Sequence, residues 1–222
     1  DKAVAATVTS CGRSMLEESC SVCSEVAKTL TKKSDGQPVG DFKLVYGDTD
    51  SLMVTLSNVK NNPSDGHHAG VAMSGEVTKR FHARGHKSKK LEQEKCFHPW
   101  ILFSKKKYSG IKYEEDHTGA IVSRGPSYSG TANKRRDSCK AVHNMYNAMI
   151  EPLLYKTGRE KCLFAFHSHM QDLITGKTLF ENLVVTKSLQ SSYKNPNLAQ
   201  WQVVRKQRER EPGSETKPGG RL

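Results

Sequence analysis

The sequence feature that most constrains the fold is a pair of short apolar runs separated by four turn-forming residues. Phe42 to Tyr46 and Leu52 to Leu56 are rich in residues that favour β-strands, and Gly47-Asp48-Thr49-Asp50 lies between them. Turn residues between two strand-like runs indicate a β-hairpin. Because apolar residues flank the turn on both sides, we expect the arms to be buried and the tip to be polar.

The segments around this hairpin predict an α+β fold. Apolar residues recur at three- and four-residue steps over residues 3–30, which predicts a long helix that ends near Lys33. A second helix is predicted from Val71 to about Arg84. Three strands are predicted to follow, at residues 90–95, 100–103 and 108–113. This order of elements favours a mostly antiparallel sheet flanked by helices.

The second half of the chain has a mainly helical pattern. After a Gly- and Ser-rich connection from Gly119 to Gly130, apolar residues recur at helical spacing over residues 139–155 and again over 163–174. A short strand is predicted at residues 184–185. From Arg205 the chain is charged and rich in Pro and Gly, which predicts a loosely ordered tail.

Four residues whose side chains can bind metals are not interpreted as metal ligands. Asn58 to Gly70 is polar and rich in turn residues, which predicts an exposed loop, and His67 and His68 within it are interpreted as solvated. Cys20 and Cys23 have the spacing of a zinc-ligand pair, but zinc sites need four ligands and no second pair follows. The preferred interpretation is that Cys20 and Cys23 are ordinary helical residues in a reducing compartment.

The charge distribution points to a polyanionic partner. The 222 residues carry a formal net charge of +12. From Lys79 to Lys112, eleven Lys or Arg residues are opposed only by Glu92 and Glu94, so this basic segment has a net charge of +9. Such a concentration of basic residues favours binding to nucleic-acid phosphates, because binding releases the counterions of the phosphates. The alternative is a basic face that is only solvated. No stretch approaches the ~18 consecutive apolar residues of a membrane span.

Asp48 and Asp50 are the candidate catalytic carboxylates. In an extended chain, side chains two residues apart point the same way, so both could face one small volume. Hard carboxylate oxygens suit Mg²⁺, which keeps waters and recruits substrate phosphates. A plain polar turn is the alternative, because Asp and Gly favour turns. The longer string from Tyr46 to Ser51, held between apolar strands, favours the site.

That string resembles the third palm motif of family B DNA polymerases, and three further segments match family motifs in the same order. Residues 6–13 resemble the palm helix that follows the fingers, residues 105–108 the lysine-rich motif that touches the primer–template duplex, and residues 130–137 the entry to the thumb. Residues 91–95 are similar to a palm strand, although its middle position is usually aromatic. The resemblance covers nearly the whole chain and is closest to the delta-type replicative branch, with a large DNA virus as another possible source.

The resemblance implies roles for individual residues. Asp50 would bind the catalytic metals, and Asp48 would shape the site beside it. Glu92 and Glu94 fall where the family has acidic palm residues near the metals, one of which can take part in binding a further ion. For Glu92, a strand carboxylate that balances nearby lysines is the alternative. The metal-binding set implied by the resemblance is Asp48, Asp50 and Glu94.

The resemblance also implies a DNA-contacting surface. Its members are Lys105, Lys106, Lys107, Tyr108, Arg135 and Arg136. Lysines supply phosphate charge, which fixes register without reading sequence. A packed strand residue is the alternative for Tyr108. Lys106 is expected to hold the primer terminus rather than to act in the chemical step.

The function implied by the resemblance is DNA-directed DNA synthesis during replication. Residues 1–130 would be the C-terminal part of the palm and residues 131–222 part of the thumb. Two Mg²⁺ ions in the complete enzyme would assist transfer of a deoxynucleotide to a primer 3′-hydroxyl. The expected partners are primer–template DNA and deoxynucleoside triphosphates, with a sliding clamp as a further candidate and no membrane. The expected location is the nucleus or a viral replication compartment.

The chain opens at Asp1 in a helical pattern, so it is expected to be an interior piece of a longer polypeptide. The aspartate of the first palm motif and the lysine of the fingers are absent from it, so this piece alone is expected to be inactive. It would then partner the missing palm and fingers segments. The alternative is a catalytically inactive duplex-DNA-binding module descended from such an enzyme, against which the intact Asp48 and Asp50 argue.

Overall fold

Five α-helices, two short 3₁₀ helices (Ala132–Lys134 and Phe180–Leu183) and five strands are present in the described residues (1–59, 61–195 and 197–222) of the computed structural model. They form two units, residues 1–127 and 128–222, and the boundary between the units falls inside strand β5 (Ile121–Ser129). The mixed α/β architecture with antiparallel pairing and flanking helices is the predicted fold class.

The predicted hairpin is present in the first unit. Strands β1 (Phe42–Asp48) and β2 (Ser51–Leu56) pair antiparallel, with a bulge between Leu44 and Tyr46. Leu56 is buried in the core, whereas Leu44 is 42% exposed. Burial of the arms is therefore restricted to the end that lies away from the turn.

Helix α1 (Lys2–Ala27) confirms the long helix predicted at the start of the chain, although it ends at Ala27 and not near Lys33. The Asp1 carboxylate accepts a hydrogen bond from the Ala3 N–H at 2.8 Å, which satisfies one of the free donors of the first turn. Val22 and Ala27 are buried on one stripe, whereas residues 1–14 are exposed. Cys23 is buried on the same stripe, and burial raises the pKa of its thiol to about 11, so the thiol is neutral at pH 7.

Helix α2 (Pro63–Ala83) begins eight residues before the predicted start at Val71. The Asn62 side chain accepts hydrogen bonds from the N–H groups of Ser64 at 3.1 Å and Asp65 at 3.2 Å, and a proline follows at the first helical position. An N-cap side chain followed by proline is typical of a helix N-terminus, although the same residues also suit the turn that was predicted here. The loop predicted from Asn58 to Gly70 is therefore wrong from Pro63 on, and Lys60 lies outside the described residues.

The prediction that His67 is solvated is wrong for the same reason. His67 lies on α2 with only 6% of its surface exposed, and its Nε2 is 3.5 Å from a carboxylate oxygen of Glu115. His68 is half-buried beside it, with the two ring centroids 6.0 Å apart. Both histidines contribute to packing of the helix.

The core of the first unit lies between α1, α2 and the hairpin. Burying one aliphatic or aromatic side chain contributes about 1.5–3 kcal/mol. The buried members of the core are Val22, Cys23, Ala27, Val39, Leu56, Val59, Ala69, Met73, Val77 and Phe81.

A second sheet follows α2, and its strands differ in part from the prediction. The order is β3 (Cys96–Ser104), β4 (Lys107–Glu115) and then β5, so the predicted strands at 100–103 and 108–113 are confirmed and extended. The third strand is β5, which lies in the segment predicted to be a Gly- and Ser-rich connection. An edge strand tolerates the glycine and proline that suggested a loop.

The strand predicted at residues 90–95 is not formed. Instead this stretch is held on α2 by Thr78, whose hydroxyl accepts a hydrogen bond from the Leu91 N–H at 2.9 Å and donates one to the Leu91 carbonyl at 3.1 Å. A side chain of the helix thus replaces a strand as the hydrogen-bonding partner of this backbone.

The second unit contains α3 (Lys140–Leu154), α4 (Arg159–Ile174) and α5 (Ala199–Arg210). The first two helices confirm the prediction and pack on each other. Buried side chains of this unit include Ile150, Leu154, Leu189 and Val204. No helix in the described part of either unit is long and apolar enough to cross a bilayer.

Two predictions for the second unit differ from the structure. Residues 184–185 do not form a strand. The tail predicted to be loosely ordered from Arg205 instead contains the second half of α5, and Val204, which precedes it on the same helix, is 3% exposed. The last residues of the chain pair with backbone groups near Ser188. Burial of Val204 and this pairing supply contacts that the charged composition of the tail did not predict.

Candidate functional site

The tip of the β1–β2 hairpin is a two-residue turn. Asp48 pairs with Ser51 across the strands, which leaves Thr49 and Asp50 as the turn residues. Thr49 has a φ of 57°, and the Asp50 N–H donates to the Asp48 carbonyl at 2.7 Å. The extended alternation assumed for Asp48 and Asp50 therefore ends at Asp48, because Thr49 takes the left-handed conformation.

The turn between β3 and β4 has the same construction. Ser104 pairs with Lys107, so Lys105 and Lys106 are the two turn residues, and Lys106 has a φ of 62°. Two-residue turns of this kind place backbone and side-chain groups at the end of a rigid ladder. All three lysines of the predicted DNA-contacting motif lie at or beside this turn and are exposed.

The two turns meet through Lys106 and Asp48, which are 58 residues apart in the chain. The Lys106 ammonium lies 2.7 Å from Asp48 Oδ1 and 3.0 Å from Oδ2. The Lys106 backbone N–H donates to the Tyr46 hydroxyl at 2.8 Å, and that hydroxyl donates to Asp48 Oδ2 at 3.3 Å. Thr49 adds a fourth hydrogen bond to the carboxylate at 3.1 Å. The Asp48 side chain is therefore fixed from several directions.

These contacts keep both groups charged. The hydrogen bond from Lys106 is the main reason that the pKa of Asp48 lies below its usual value, and the same bond raises the pKa of Lys106. The Lys106 side chain is 70% exposed and the Asp48 side chain 29% exposed, so solvent screens the attraction. The pair holds the geometry of the two turns more than it stabilises the fold.

Asp50 differs from Asp48 in what surrounds it. Its carboxylate is exposed and forms no ion pair within residues 1–59, 61–195 and 197–222. Carboxylate oxygens that are open to water are the ligand type Mg²⁺ prefers, so Asp50 fits a role as a metal ligand. Asp48 fits less well, because an ammonium already lies against both of its oxygens.

Glu94 is not brought into a metal-binding group with the two aspartates. It is exposed and lies 3.9 Å from the Lys95 ammonium. No group of three or more His, Cys, Asp or Glu side chains that could hold an ion exists among the described residues. Of the predicted metal-binding set, the structure favours Asp50 alone as an open ligand.

Seven of the eleven basic residues of the segment form ion pairs, and three of these pairs are with acidic side chains distant in sequence. Arg80 lies 2.8 Å from Glu25, and Arg84 lies 2.8 Å from Glu18, both on α1. The segment's residues in ion pairs are Lys79, Arg80, Arg84, Lys90, Lys95, Lys106 and Lys112. Those in no ion pair, in the part of the chain that the structure describes, are Lys87, Lys89, Lys105 and Lys107.

Tyr108, predicted to contact DNA, packs between aromatic rings. Its ring centroid lies 6.0 Å from that of Phe97 and 5.7 Å from that of Trp100. Gly110 makes room for this cluster, because a Cβ there would come within 3.0 Å of both neighbouring rings. The ring of Tyr108 thus has a structural role in the sheet, in line with the alternative interpretation.

The predicted thumb-entry residues lie in the second unit. Arg135 donates two hydrogen bonds to the Asp137 carboxylate, at 3.0 Å and 2.8 Å, and Lys187 adds a third at 3.0 Å. These donors hold the pKa of Asp137 far below its usual range. The Arg136 side chain is exposed.

Tyr46 and Thr49 are site residues to which sequence analysis gave no role. Tyr46 connects the two turns through its hydroxyl, and Thr49 donates to Asp48. Tyr46 lies two residues before Asp48 on the same strand, so alternation along β1 already placed the two side chains on one face. The contact with Lys106 had no such signal, because it joins separate hairpins.

The chain is similar throughout its length to DNA polymerases. Residues 2–222 match the model of DNA polymerase family B. The chain is 30% identical over 226 residues to a DNA polymerase of Pyramimonas orientalis virus, covering 100% of this chain and 17% of the relative. It is 28% identical over 222 residues to the DNA polymerase delta catalytic subunit of Candida albicans, covering 99% of this chain and 20% of that one.

A solved structure, that of the family B DNA polymerase from the hyperthermophilic archaeon Pyrobaculum calidifontis, matches with a TM-score of 0.48 and 18% identity. The match covers 100% of this chain and 24% of that chain. The chain spans about a fifth of the length of the curated relatives it matches.

Proposed function

This chain belongs to DNA polymerase family B, and we propose that it supplies part of the palm and part of the thumb of a DNA-directed DNA polymerase. The palm part is residues 1–130 and the thumb part residues 131–222. The relatives are named DNA polymerases and are about five times longer, which supports a role within a longer polypeptide that contains the remaining palm and the fingers. The substrates are primer–template DNA and deoxynucleoside triphosphates.

The observation that carries this proposal is the exposed Asp50 carboxylate on the rigid turn beside Asp48. Asp50 is the residue that would hold a divalent ion, Mg²⁺ by the chemistry of its oxygens. When bound, a pair of such ions supplies activation of the primer 3′-hydroxyl and neutralisation of the leaving pyrophosphate. Glu94 would bind a further ion only in the complete enzyme.

The other residues at the two turns orient the Asp48 carboxylate and anchor the DNA duplex. Lys106, Tyr46 and Thr49 keep the Asp48 carboxylate ionised and in one position, so that it shapes the site without competing for the ion. Lys105 and Lys107, which flank Lys106 in the chain, are exposed and contact backbone phosphates of the duplex. Phosphate contacts fix register and orientation without reading sequence.

Primer extension by the complete polymerase tests the proposal. Asp50→Ala lowers nucleotide addition by roughly a thousandfold, because a lost metal ligand removes charge stabilisation of the transition state. Duplex affinity stays near that of the wild type. Asp41→Ala, at the other end of the same hairpin and also exposed, is the matched control and leaves extension unchanged. Extension by Asp50→Ala above a tenth of the wild-type rate contradicts the assignment.

A second candidate function is a catalytically inactive duplex-binding module. It is favoured by the ammonium that lies against Asp48 and by the absence of a three-ligand group in the described ranges. In that case Asp50→Ala and wild type extend primers equally poorly, and both bind duplex. The same experiment therefore separates the two functions.

The proposed location is the nucleus or a viral replication compartment, which is supported by relatives from eukaryotes and from viruses. A sliding clamp is a further possible partner of the complete enzyme.

A further inference from the structure

The guanidinium of Arg221, which directly precedes Leu222, donates hydrogen bonds to backbone and hydroxyl oxygens of the second unit. Its Nη2 donates to the Arg136 carbonyl at 2.6 Å, to the Thr186 hydroxyl at 2.6 Å and to the Thr186 carbonyl at 3.2 Å. Its Nη1 donates to the Ser188 hydroxyl at 3.3 Å. A lysine carries a single nitrogen on a shorter stem, so from the same backbone it does not reach the same set of oxygens.

The tail that carries Arg221 is itself held in place by the backbone. Lys187 and Leu222 exchange two N–H···O=C bonds of 2.9 Å each, and the Leu189 N–H donates to the Gly220 carbonyl at 2.9 Å. Leu189 is 3% exposed, so this short ladder is anchored by a buried side chain. Arg221 is therefore presented to Arg136 from a fixed backbone.

Within the turn of Arg135, Arg136 and Asp137, only the middle side chain has an uncommitted charge. The outer two are paired with each other, and Lys187 also binds Asp137. The Arg136 guanidinium is exposed and forms no ion pair among residues 1–59, 61–195 and 197–222. Its carbonyl, in contrast, accepts hydrogen bonds from Arg221 and from the Thr186 hydroxyl.

We propose that Arg221 is a positioning residue that holds the backbone of Arg136, so that the Arg136 guanidinium meets a backbone phosphate of duplex DNA. The inference rests on the proposed function. The Nη donors of Arg221 are directed at protein oxygens rather than at a phosphate. Fixing the backbone of Arg136 reduces the conformational freedom that a long side chain loses on binding.

The test is the salt dependence of duplex binding by this chain, measured by fluorescence anisotropy with a short labelled DNA duplex. Arg136→Ala reduces the salt slope by about 0.9 and the affinity at about 0.1 M salt by roughly eightfold, the contribution of one phosphate. Arg221→Lys keeps the charge and gives the same loss. The double variant shows no further loss, because both changes remove one contact. Arg210→Lys, an exposed arginine of α5, is the matched control and leaves the slope unchanged.

Wild-type binding by Arg221→Lys, or additive losses in the double variant, overturns the role of Arg221. If Arg136→Ala binds like the wild type while Lys105 and Lys107 variants do not, the inference fails and the proposed function stands. If the wild type does not bind duplex DNA at all, the proposed function fails. Should Arg221→Lys unfold the second unit, Thr186→Val removes the hydroxyl bond to Arg136 instead. The salt slope of Thr186→Val is expected to be reduced by the same amount as that of Arg136→Ala, and a wild-type slope contradicts the proposal.

Discussion

The two ends of the basic segment face different surroundings. At the C-terminal end of α2, Arg80 and the capping residue Arg84 each lie 2.8 Å from a glutamate of α1. At the β3–β4 turn, Lys105 and Lys107 are exposed and form no ion pair in the described part of the chain. One end therefore joins two helices, and the other is available to an external anion.

This difference shows what a count of charges along the sequence leaves out. Within the segment only Glu92 and Glu94 oppose the basic residues, but the fold adds carboxylates from α1, β1 and β4. Exposed ion pairs stabilise a fold weakly. They still reduce the number of charges that can neutralise phosphates, and that number sets the salt dependence of binding.

Removing the free lysines of the turn is expected to have the largest effect on binding. The double variant Lys105→Ala, Lys107→Ala is predicted to bind duplex DNA roughly 50-fold more weakly at about 0.1 M salt, because two phosphate contacts are lost. Fluorescence anisotropy of this chain with a labelled duplex measures it.

The matched control removes two paired charges from the other end of the segment. Arg80→Ala with Arg84→Ala is predicted to leave duplex affinity within about threefold of wild type and to lower the thermal unfolding midpoint, because bonds between α1 and α2 are lost. An equal loss of affinity in both double variants would show that ion pairing does not separate the two ends.

Lys106 is expected to have a smaller effect, and on a different quantity. It occupies the same turn as the free lysines, but its charge faces Asp48. Lys106→Ala is predicted to lower the single-turnover rate of the saturated complete polymerase by roughly tenfold, since a displaced carboxylate disturbs the reacting centre. A loss of affinity with an unchanged saturated rate would return Lys106 to the purely DNA-holding role predicted from the sequence.

The smallest expected effect is that of pH on the contact between the two turns. The pKa of Asp48 is lowered, so its stabilisation is present above the usual carboxyl pKa and is lost only as the pH falls below it. The pKa of Lys106 is raised, so its stabilisation is lost only as the pH rises above the usual lysine value. The ratio of Lys106→Ala to wild-type single-turnover rates is predicted to be constant from about pH 6 to about pH 9. A ratio that titrates in this range would contradict the pairing.

Local patterns predicted those parts of the fold that local chemistry determines. The β1–β2 hairpin, α1, α3 and α4 follow from apolar periodicity and turn residues. The start of α2 was missed because Asn62 and Pro63 suit a turn as well as a helix N-terminus. Strand β5 was missed because an edge position accepts glycine and proline.

The residues of the candidate site could be predicted from the sequence, whereas most contacts between them could not. The positions of Asp48 and Asp50 on a hairpin turn could be predicted from neighbouring residues. The ammonium of Lys106 beside Asp48 could not, because two separate hairpins bring it there. The same holds for Arg221 and Arg136, which are 85 residues apart. Sequence spacing carries no information on such pairs.

The salt dependence of duplex binding tests most directly whether the unpaired charges are the phosphate-binding ones. The variant to compare with wild type replaces the four lysines of the basic segment that lack an ion pair in the described residues: Lys87→Gln, Lys89→Gln, Lys105→Gln and Lys107→Gln. We predict a salt slope smaller by about 3.6, which corresponds to roughly 150-fold less change in affinity between 50 and 200 mM salt. An unchanged slope in a wild type that still binds duplex in a salt-dependent manner would contradict the account.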